Sequence, residues 1–189
     1  MNTADYLLHN VDDNKVALLE KKAQATYGEL KAASSRILGE LLAKGVQPYD
    51  RVAILADNSL FWIAAYLAVL KLPAVAVFLP TVSTGEDIAK KLNFVDAQTL
   101  LVDRKAQRKA AAHLPEGLQL ISNEILSQPG KSSWKSSFES FDLDQDAALM
   151  LTSGTTATPR AVRITHRNIQ ANTDSIIAYM ELNSAERVL

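Results

Sequence analysis

The chain has 189 residues, 48% hydrophobic and 22% charged, with a formal net charge of −1 and no cysteine. Such a chain is globular and long enough to bury a real core, and its near-neutral charge gives no footprint for nucleic acid or an anionic membrane as a general partner. Without cysteine there is no disulfide scaffold, thiol nucleophile or thiolate-ligated zinc, which agrees with a cytoplasmic home.

The first fifteen residues, "MNTADYLLHNVDDNK", have an acid at position 5 and no basic run before a long apolar core, so they do not read as a signal peptide. "KVALLEKKAQATY" predicts two short strands joined at residues 20–22. "TYGELKAASSRILGELLAKG" follows with a threonine available as a cap. Leu30, Ala33, Ile37 and Leu41 fall on one helical face, and Gly45 offers a stop. "RVAILA" (51–56) reads as a buried strand. Residues 59–70 are apolar nearly all round, as in a helix enclosed by other elements, and Pro73 closes them off. The ten-residue run "FWIAAYLAVL" (61–70) is far shorter than the roughly 20 residues that cross a bilayer, so no membrane span is expected.

The alternation of strand and helix continues. "AVAVFL" (74–79) is a strand, and "STGEDIAKKLNFV" places Ser83 and Glu86 at capping-box spacing before a helix. "QTLLVD" (98–103), "RKAQRKAAAH" and "LQLIS" (118–122) read as strand, helix and strand. The pattern predicts an α/β chain with a largely parallel, helix-covered sheet. Residues 128–140 lose periodicity and read as a surface connection within one domain. "AALML" (147–151) and "AVRIT" (161–165) are strands on either side of a loop, and a helix begins near His166 and runs to about Leu182.

The loop between those last strands is the part that folding alone explains least. Thr152, Ser153, Gly154, Thr155 and Thr156 put four hydroxyls and a glycine in five consecutive positions, and Pro159 and Arg160 follow. Small residues let backbone N–H groups approach an anion, hydroxyls add donors, and glycine reaches the positive-φ conformations that aim several N–H groups at one point. Arg160 supplies the cation that completes a phosphate site. On residue chemistry alone, a phosphate loop and a plain Ser/Thr-rich turn both remain open. "PGKSS" (129–133) imitates the end of the common NTPase phosphate loop, but Ile125 stands where its first glycine belongs. "SSWK" (132–135) matches a serine-nucleophile motif by letter only.

"LTSGTTATPRAVRITHRNI" (151–169) resembles the phosphate-binding signature of the adenylate-forming enzymes, which include acyl-CoA synthetases, nonribosomal-peptide adenylation domains and luciferases. "ATYGEL" (25–30), "GVQPYDRVAILADNSLFWIAAYLAVLKLPAVAVFLP" (45–80) and "DIAKKLNFVDAQTLLVD" (87–103) are similar to stretches that precede the signature in that family, in the same order. The resemblance implies the N-terminal subdomain of such an enzyme, with residues 1–189 forming the first part of the large domain and the C-terminal domain absent. It also implies a two-step reaction. A carboxylic acid and Mg-ATP give an acyl-adenylate and pyrophosphate, and the acyl group passes to the thiol of coenzyme A or a carrier protein. By the same resemblance Thr152, Ser153, Gly154, Thr155, Thr156 and Arg160 hold the ATP phosphates. The resemblance puts the magnesium ligand, the ribose-binding aspartate, most of the carboxylate pocket and the C-terminal domain with its lysine further along than Leu189, so the carboxylate substrate is not legible here. The expectation is therefore that this polypeptide alone does not adenylate an acid.

The chain departs from the family pattern at Ala157 and Ala161, where the family has glycine, and at Arg160, where it has lysine. Arginine replaces a point charge by a planar fork. An alanine forced to positive φ costs roughly 1 kcal/mol or more. Leu72–Pro73 replaces Ala-Gly, a change of local packing. These departures leave a second reading beside the ligase fragment: a non-catalytic scaffold or regulatory relative with an altered phosphate loop. Elsewhere the bland readings lead. His166 packs or caps at a helix start, Trp62 and Tyr66 belong to the core, Glu29 and Asp50 are cap or turn residues, and "DRKAQRK" (103–109) is a solvated helix face.

Overall fold

The computed structural model describes residues 1–20, 23–128, 134–135, 141–152 and 160–183. Its centre is a six-stranded sheet built from β3 (Arg51–Leu55), β4 (Val75–Phe78), β5 (Thr99–Val102), β6 (Gln119–Ser122), β7 (Asp146–Thr152) and β8 (Arg160–Thr165). Across the sheet the order is β6-β5-β3-β4-β7-β8. All neighbours are parallel except β7 and β8, which form an antiparallel pair at one edge. β1 (Val16–Glu20) and β2 (Ala23–Thr26) make a separate antiparallel pair, as the sequence predicts.

Strand periodicity divides the core in two. Side chains alternate across a strand, so Val52 and Ile54 face one layer while Ala53 and Leu55 face the other. The first layer contains α1 (Thr3–Leu7), α2 (Tyr27–Ala43), α3 (Leu60–Lys71) and the buried side of α6 (His166–Tyr179). The second contains α4 (Gly85–Val95) and α5 (Arg104–Ala110). β3, β4 and β5 are covered on both faces, which is why they read as unbroken apolar runs, whereas β8 and the end of β7 are largely exposed.

Caps fix where the helices begin. α2 starts at a capping box in which the Glu29 N–H donates to Thr26 Oγ1 (3.1 Å) and the Thr26 N–H donates to Glu29 Oε2 (2.7 Å). Thr26→Ala is expected to lower stability by about 1 kcal/mol in urea unfolding, because the Glu29 N–H loses its hydroxyl acceptor at the helix start. For α4 the structure corrects the predicted cap. Thr84, not Ser83, accepts from the Asp87 N–H at 3.2 Å, and Glu86 lies in the first turn rather than closing a box. Ser83 Oγ instead accepts from Lys91 Nζ at 3.1 Å. Gly85 stands where α4 meets the short 3-10 turn Ala111–His113, and a Cβ there would lie 2.5 Å from His113 Nδ1.

α1 was not foreseen in the sequence. Asn2 caps it, and Asp5 is fully buried, its carboxylate accepting from Lys71 Nζ at 2.7 and 2.8 Å and from Asn2 Nδ2 at 3.1 Å. Lys71 Nζ also donates to the Lys135 carbonyl (2.7 Å) and lies 5.3 Å from the Trp134 ring centroid. Of the connection at 128–140, Gln128, Trp134 and Lys135 are described, and Trp134 is packed against the first core layer. The two motif look-alikes at 129–133 and 132–135 fall outside the described residues apart from Trp134 and Lys135. Among the described residues no helix is long and apolar enough to cross a membrane.

Candidate functional site

The hydroxyl-rich segment is the connection of the β7–β8 pair at the carboxyl end of the sheet. Thr152 ends β7 and Arg160 opens β8, and the two are register partners, so they form the base of the loop from opposite sides. The Thr152 hydroxyl lies 3.4 Å from the Arg160 carbonyl. Ser153, Gly154, Thr155 and Thr156, the other predicted phosphate-binding residues, and Ala157 fall outside the described residues. Thr152 and Arg160, which flank residues 153–159 in sequence, lie at the carboxyl end of the parallel strands, where open α/β sheets take their ligands.

Electrostatics distinguish Arg160 from its neighbours. Arg163 Nε donates to both carboxylate oxygens of Asp146 (2.9 and 3.0 Å), and Arg167 makes a two-point contact with Asp144 (2.7 and 3.1 Å). These ion pairs raise the guanidinium pKa values of both arginines, and the contact with Arg167 lowers that of Asp144. Arg160 is exposed and has no carboxylate partner among the described residues. Among the described residues Arg163 and Arg167 are ion-paired, and Arg160, at the end of β8 that adjoins the loop, has no carboxylate partner.

Ala161 sits within β8, paired with Leu151, in extended backbone where a Cβ fits without strain. The departure from glycine at this position is therefore compatible with the ladder. His166 is a core residue. It is the first residue of α6, with 0% exposure, after the Thr165 cap. Its Nδ1 receives the Thr3 N–H at 3.2 Å and lies 2.8 Å from Thr3 Oγ1, while Phe141 packs edge-on to the ring at 4.7 Å. Burial pushes its pKa from 6.5 down to about 4. A neutral, enclosed imidazole of this kind anchors an element and is in no position to exchange protons with a ligand. No group of three or more His, Cys, Asp or Glu suited to a metal ion occurs among the described residues.

Sequence reading missed a cleft beside the loop. About 490 Å³ of space opens at the carboxyl ends of β3, β4 and β7, between an apolar wall containing Trp62, Phe78, Met150 and Leu151 and a polar rim containing Asp57 and Thr81. β3 leads into α3 in one layer and β4 leads into α4 in the other, so the chain departs in opposite directions on either side of the crevice. The polar rim is ordered: Thr81 Oγ1 donates to Asp57 Oδ1 at 2.7 Å, and Lys105 Nζ donates to Oδ2 at 2.9 Å. The contact with Lys105 holds the Asp57 carboxyl below the usual carboxylate range. The signal was present in sequence as "ADNS" and "FLPTV" after two predicted strands, but only topology brings those ends together.

An open, mostly parallel α/β sheet with a hairpin loop and a cleft at its carboxyl edge defines a ligand-binding class of fold. The chain belongs to the AMP-binding enzyme family, whose model matches residues 9–189. A linear gramicidin synthase of Brevibacillus parabrevis is 30% identical over 174 residues, covering 92% of this chain and 2% of that protein. The 2-succinylbenzoate–CoA ligase of Listeria monocytogenes is 27% identical over 156 residues, covering 82% of this chain and 31% of that enzyme. The o-succinylbenzoate CoA synthetase MenE of Bacillus subtilis, solved in complex with the acyl-adenylate intermediate OSB-AMP, superposes with a TM-score of 0.82 at 26% identity, covering 99% of this chain and 48% of that one. Apo MatB of Rhodopseudomonas palustris shares the fold, with a TM-score of 0.82 at 22% identity over 97% of this chain and 38% of its own. The chain thus spans less than half of each of these relatives.

Proposed function

We propose that residues 1–189 are the N-terminal part of the large domain of an ATP-dependent carboxylate-activating ligase, and that the β7–β8 loop holds the triphosphate tail of ATP. In the whole enzyme an acid and ATP give an acyl-adenylate and pyrophosphate, and the acyl group then passes to a coenzyme A or carrier-protein thiol. A carboxylate cannot expel oxide, so adenylation supplies the leaving group that thiol attack requires. The observation that carries the reading is Arg160, exposed and without a carboxylate partner among the described residues, in register with Thr152 at the two ends of a segment whose sequence is rich in small donors. An unpaired guanidinium and a hydroxyl suit polyphosphate oxygens, which accept charge-assisted hydrogen bonds. Magnesium, when bound to the nucleotide, adds charge neutralisation. The described residues offer no carboxylate cluster for it, so no protein ligand of the metal is assigned. The family's soluble, cytoplasmic habit is proposed with it, and no observation favours the non-catalytic alternative.

The test is calorimetric titration of the chain with inorganic tripolyphosphate and with Mg-ATP. Both are expected to bind, and Arg160→Ala is expected to weaken binding by about tenfold or more, since a hydrogen bond to a charged group is worth about 1.5–3 kcal/mol. Arg160→Lys should retain most of the affinity. Absence of binding, or affinity indifferent to Arg160→Ala, overturns the reading.

A further inference from the structure

We infer that Met150 is a peroxide-oxidisable site whose sulfoxide oxygen captures the Arg160 guanidinium and so weakens the hold of the loop on phosphate. The effect on phosphate rests on the proposed role of the β7–β8 loop, whereas the contact between the two side chains does not.

Sheet register sets the two groups side by side. Met150 pairs with Val162, and Thr152 with Arg160, in the antiparallel β7–β8 ladder. Side chains alternate along a strand, so Met150, Thr152, Arg160 and Val162 share one face, and Met150 is the diagonal neighbour of Arg160. Diagonal neighbours in such a ladder lie about 7–8 Å apart, within reach of two long side chains. Arg160 has no carboxylate partner among the described residues, so a new acceptor beside it meets no competing carboxylate from them.

Access and chemistry single out this sulfur. The chain has no cysteine and three methionines, so thioethers are its only sulfur groups. Met150 is 44% exposed and lines the cleft of about 490 Å³, which admits a molecule as small as hydrogen peroxide. Its sulfur attacks one peroxide oxygen, the O–O bond breaks and an S–O bond forms. The departing hydroxide takes the proton of the transferred oxygen and leaves as water, so the sulfur loses two electrons and the peroxide gains them. A thioether is a weak hydrogen-bond acceptor, whereas the sulfoxide is polar and accepts well. A guanidinium donates charge-assisted hydrogen bonds, and one held by the sulfoxide is no longer free for polyphosphate oxygens. Met180, 59% exposed, caps the far end of α6 and is not a ladder neighbour of Arg160. It serves as the internal control.

The chain is treated with hydrogen peroxide, and oxygen addition is located by peptide mass spectrometry. Met150 is expected to gain one oxygen. The Arg160 Nε–H proton resonance, assigned by its absence in Arg160→Ala, is expected to shift as that oxygen is added. Tripolyphosphate affinity, measured by calorimetric titration, should fall by about threefold to tenfold. It should return after treatment with the two methionine sulfoxide reductases, one for each epimer, and a dithiol reductant. Met150→Gln, which places an amide oxygen at similar reach, should reproduce the loss without oxidant. Met150→Leu should bind equally before and after peroxide, whereas Met180→Leu should keep the full response. Thermal melting of each variant confirms that it is folded. Resistance of Met150 to peroxide, an Arg160 resonance indifferent to the sulfoxide, an affinity unchanged by oxidation, or a loss that persists in Met150→Leu overturns the inference. A resonance shift in a chain whose reduced form does not bind tripolyphosphate defeats the reading of the loop alone.

Discussion

Lys71→Ala is expected to destabilise the chain by about 3–5 kcal/mol in urea unfolding, the largest single-residue effect anticipated from the structure. Asp5 is fully buried; its carboxylate accepts from Lys71 Nζ at 2.7 and 2.8 Å and from Asn2 Nδ2 at 3.1 Å. Removing the ammonium takes a close counter-charge from a fully buried carboxylate, and the cost is that of weakening a buried ion pair rather than of losing one exposed contact. Lys71 also holds Trp134 and the Lys135 carbonyl, so the same change releases part of the connection before β7. The double variant Asp5→Asn, Lys71→Met removes both charges at similar volume and is expected to recover most of the loss. A cost below about 1 kcal/mol for Lys71→Ala would place the pair among ordinary exposed ion pairs and refute the account. The site is tied to this pair mechanically. The pair fastens α1 to the end of α3, and α1 in turn holds the start of α6, the helix that follows β8 directly.

What could be read from the sequence was local. The apolar runs at 51–56, 74–79 and 98–103 each became a parallel strand within one or two residues, because doubly covered strands need uninterrupted apolar side chains, and 147–151 became β7, parallel to β4 and antiparallel to β8. The threonine cap of α2 was visible because the hydroxyl and the N–H it accepts lie within four residues, while Glu29, whose reciprocal contact completes the box, reads in sequence only as a cap or turn residue. The α4 cap was misplaced by one residue because Ser83 and Thr84 are adjacent hydroxyls and only backbone geometry chooses between them. What failed was non-local. α1 has five residues and little pattern of its own, and is held by Lys71 and His166 from distant parts of the chain. The strand order places β7 beside β4 across more than 60 residues, so the cleft between their ends had no signature in any single segment. At the loop, the spacing of Thr152 and Arg160 suggested a turn. Their position as register partners, with two neighbouring arginines already neutralised, needed coordinates.

The second large effect is a loss of stability in mild acid that originates at His166. The imidazole is enclosed by Thr3 and Phe141, and its Nε2 has no hydrogen-bond partner among the described residues. Burial lowers its pKa from 6.5 to about 4. Above pH 6.5 the ring is neutral in both folded and unfolded chains and pH has no leverage through it. Between pH 6.5 and about 4 the unfolded chain takes up a proton that the folded chain refuses, so stability falls as pH falls. At about 1.36 kcal/mol per pH unit, the accumulated loss is roughly 3 kcal/mol by pH 4. Exposed carboxylates such as Asp57, Asp87 and Asp144, whose pKa values are lowered by their cationic partners, add acid sensitivity of their own as they protonate. The contribution of His166 is isolated by comparison with His166→Asn, which keeps an acceptor near the Nδ1 position and does not titrate. The stability difference between the two proteins should be flat above pH 6.5. It should then shift by roughly 3 kcal/mol in favour of the variant between pH 6.5 and 4. A difference that stays constant over that range would mean that the ring accepts its proton in the folded state. The anchoring of α6 and the loop hairpin through a permanently neutral histidine would then be wrong.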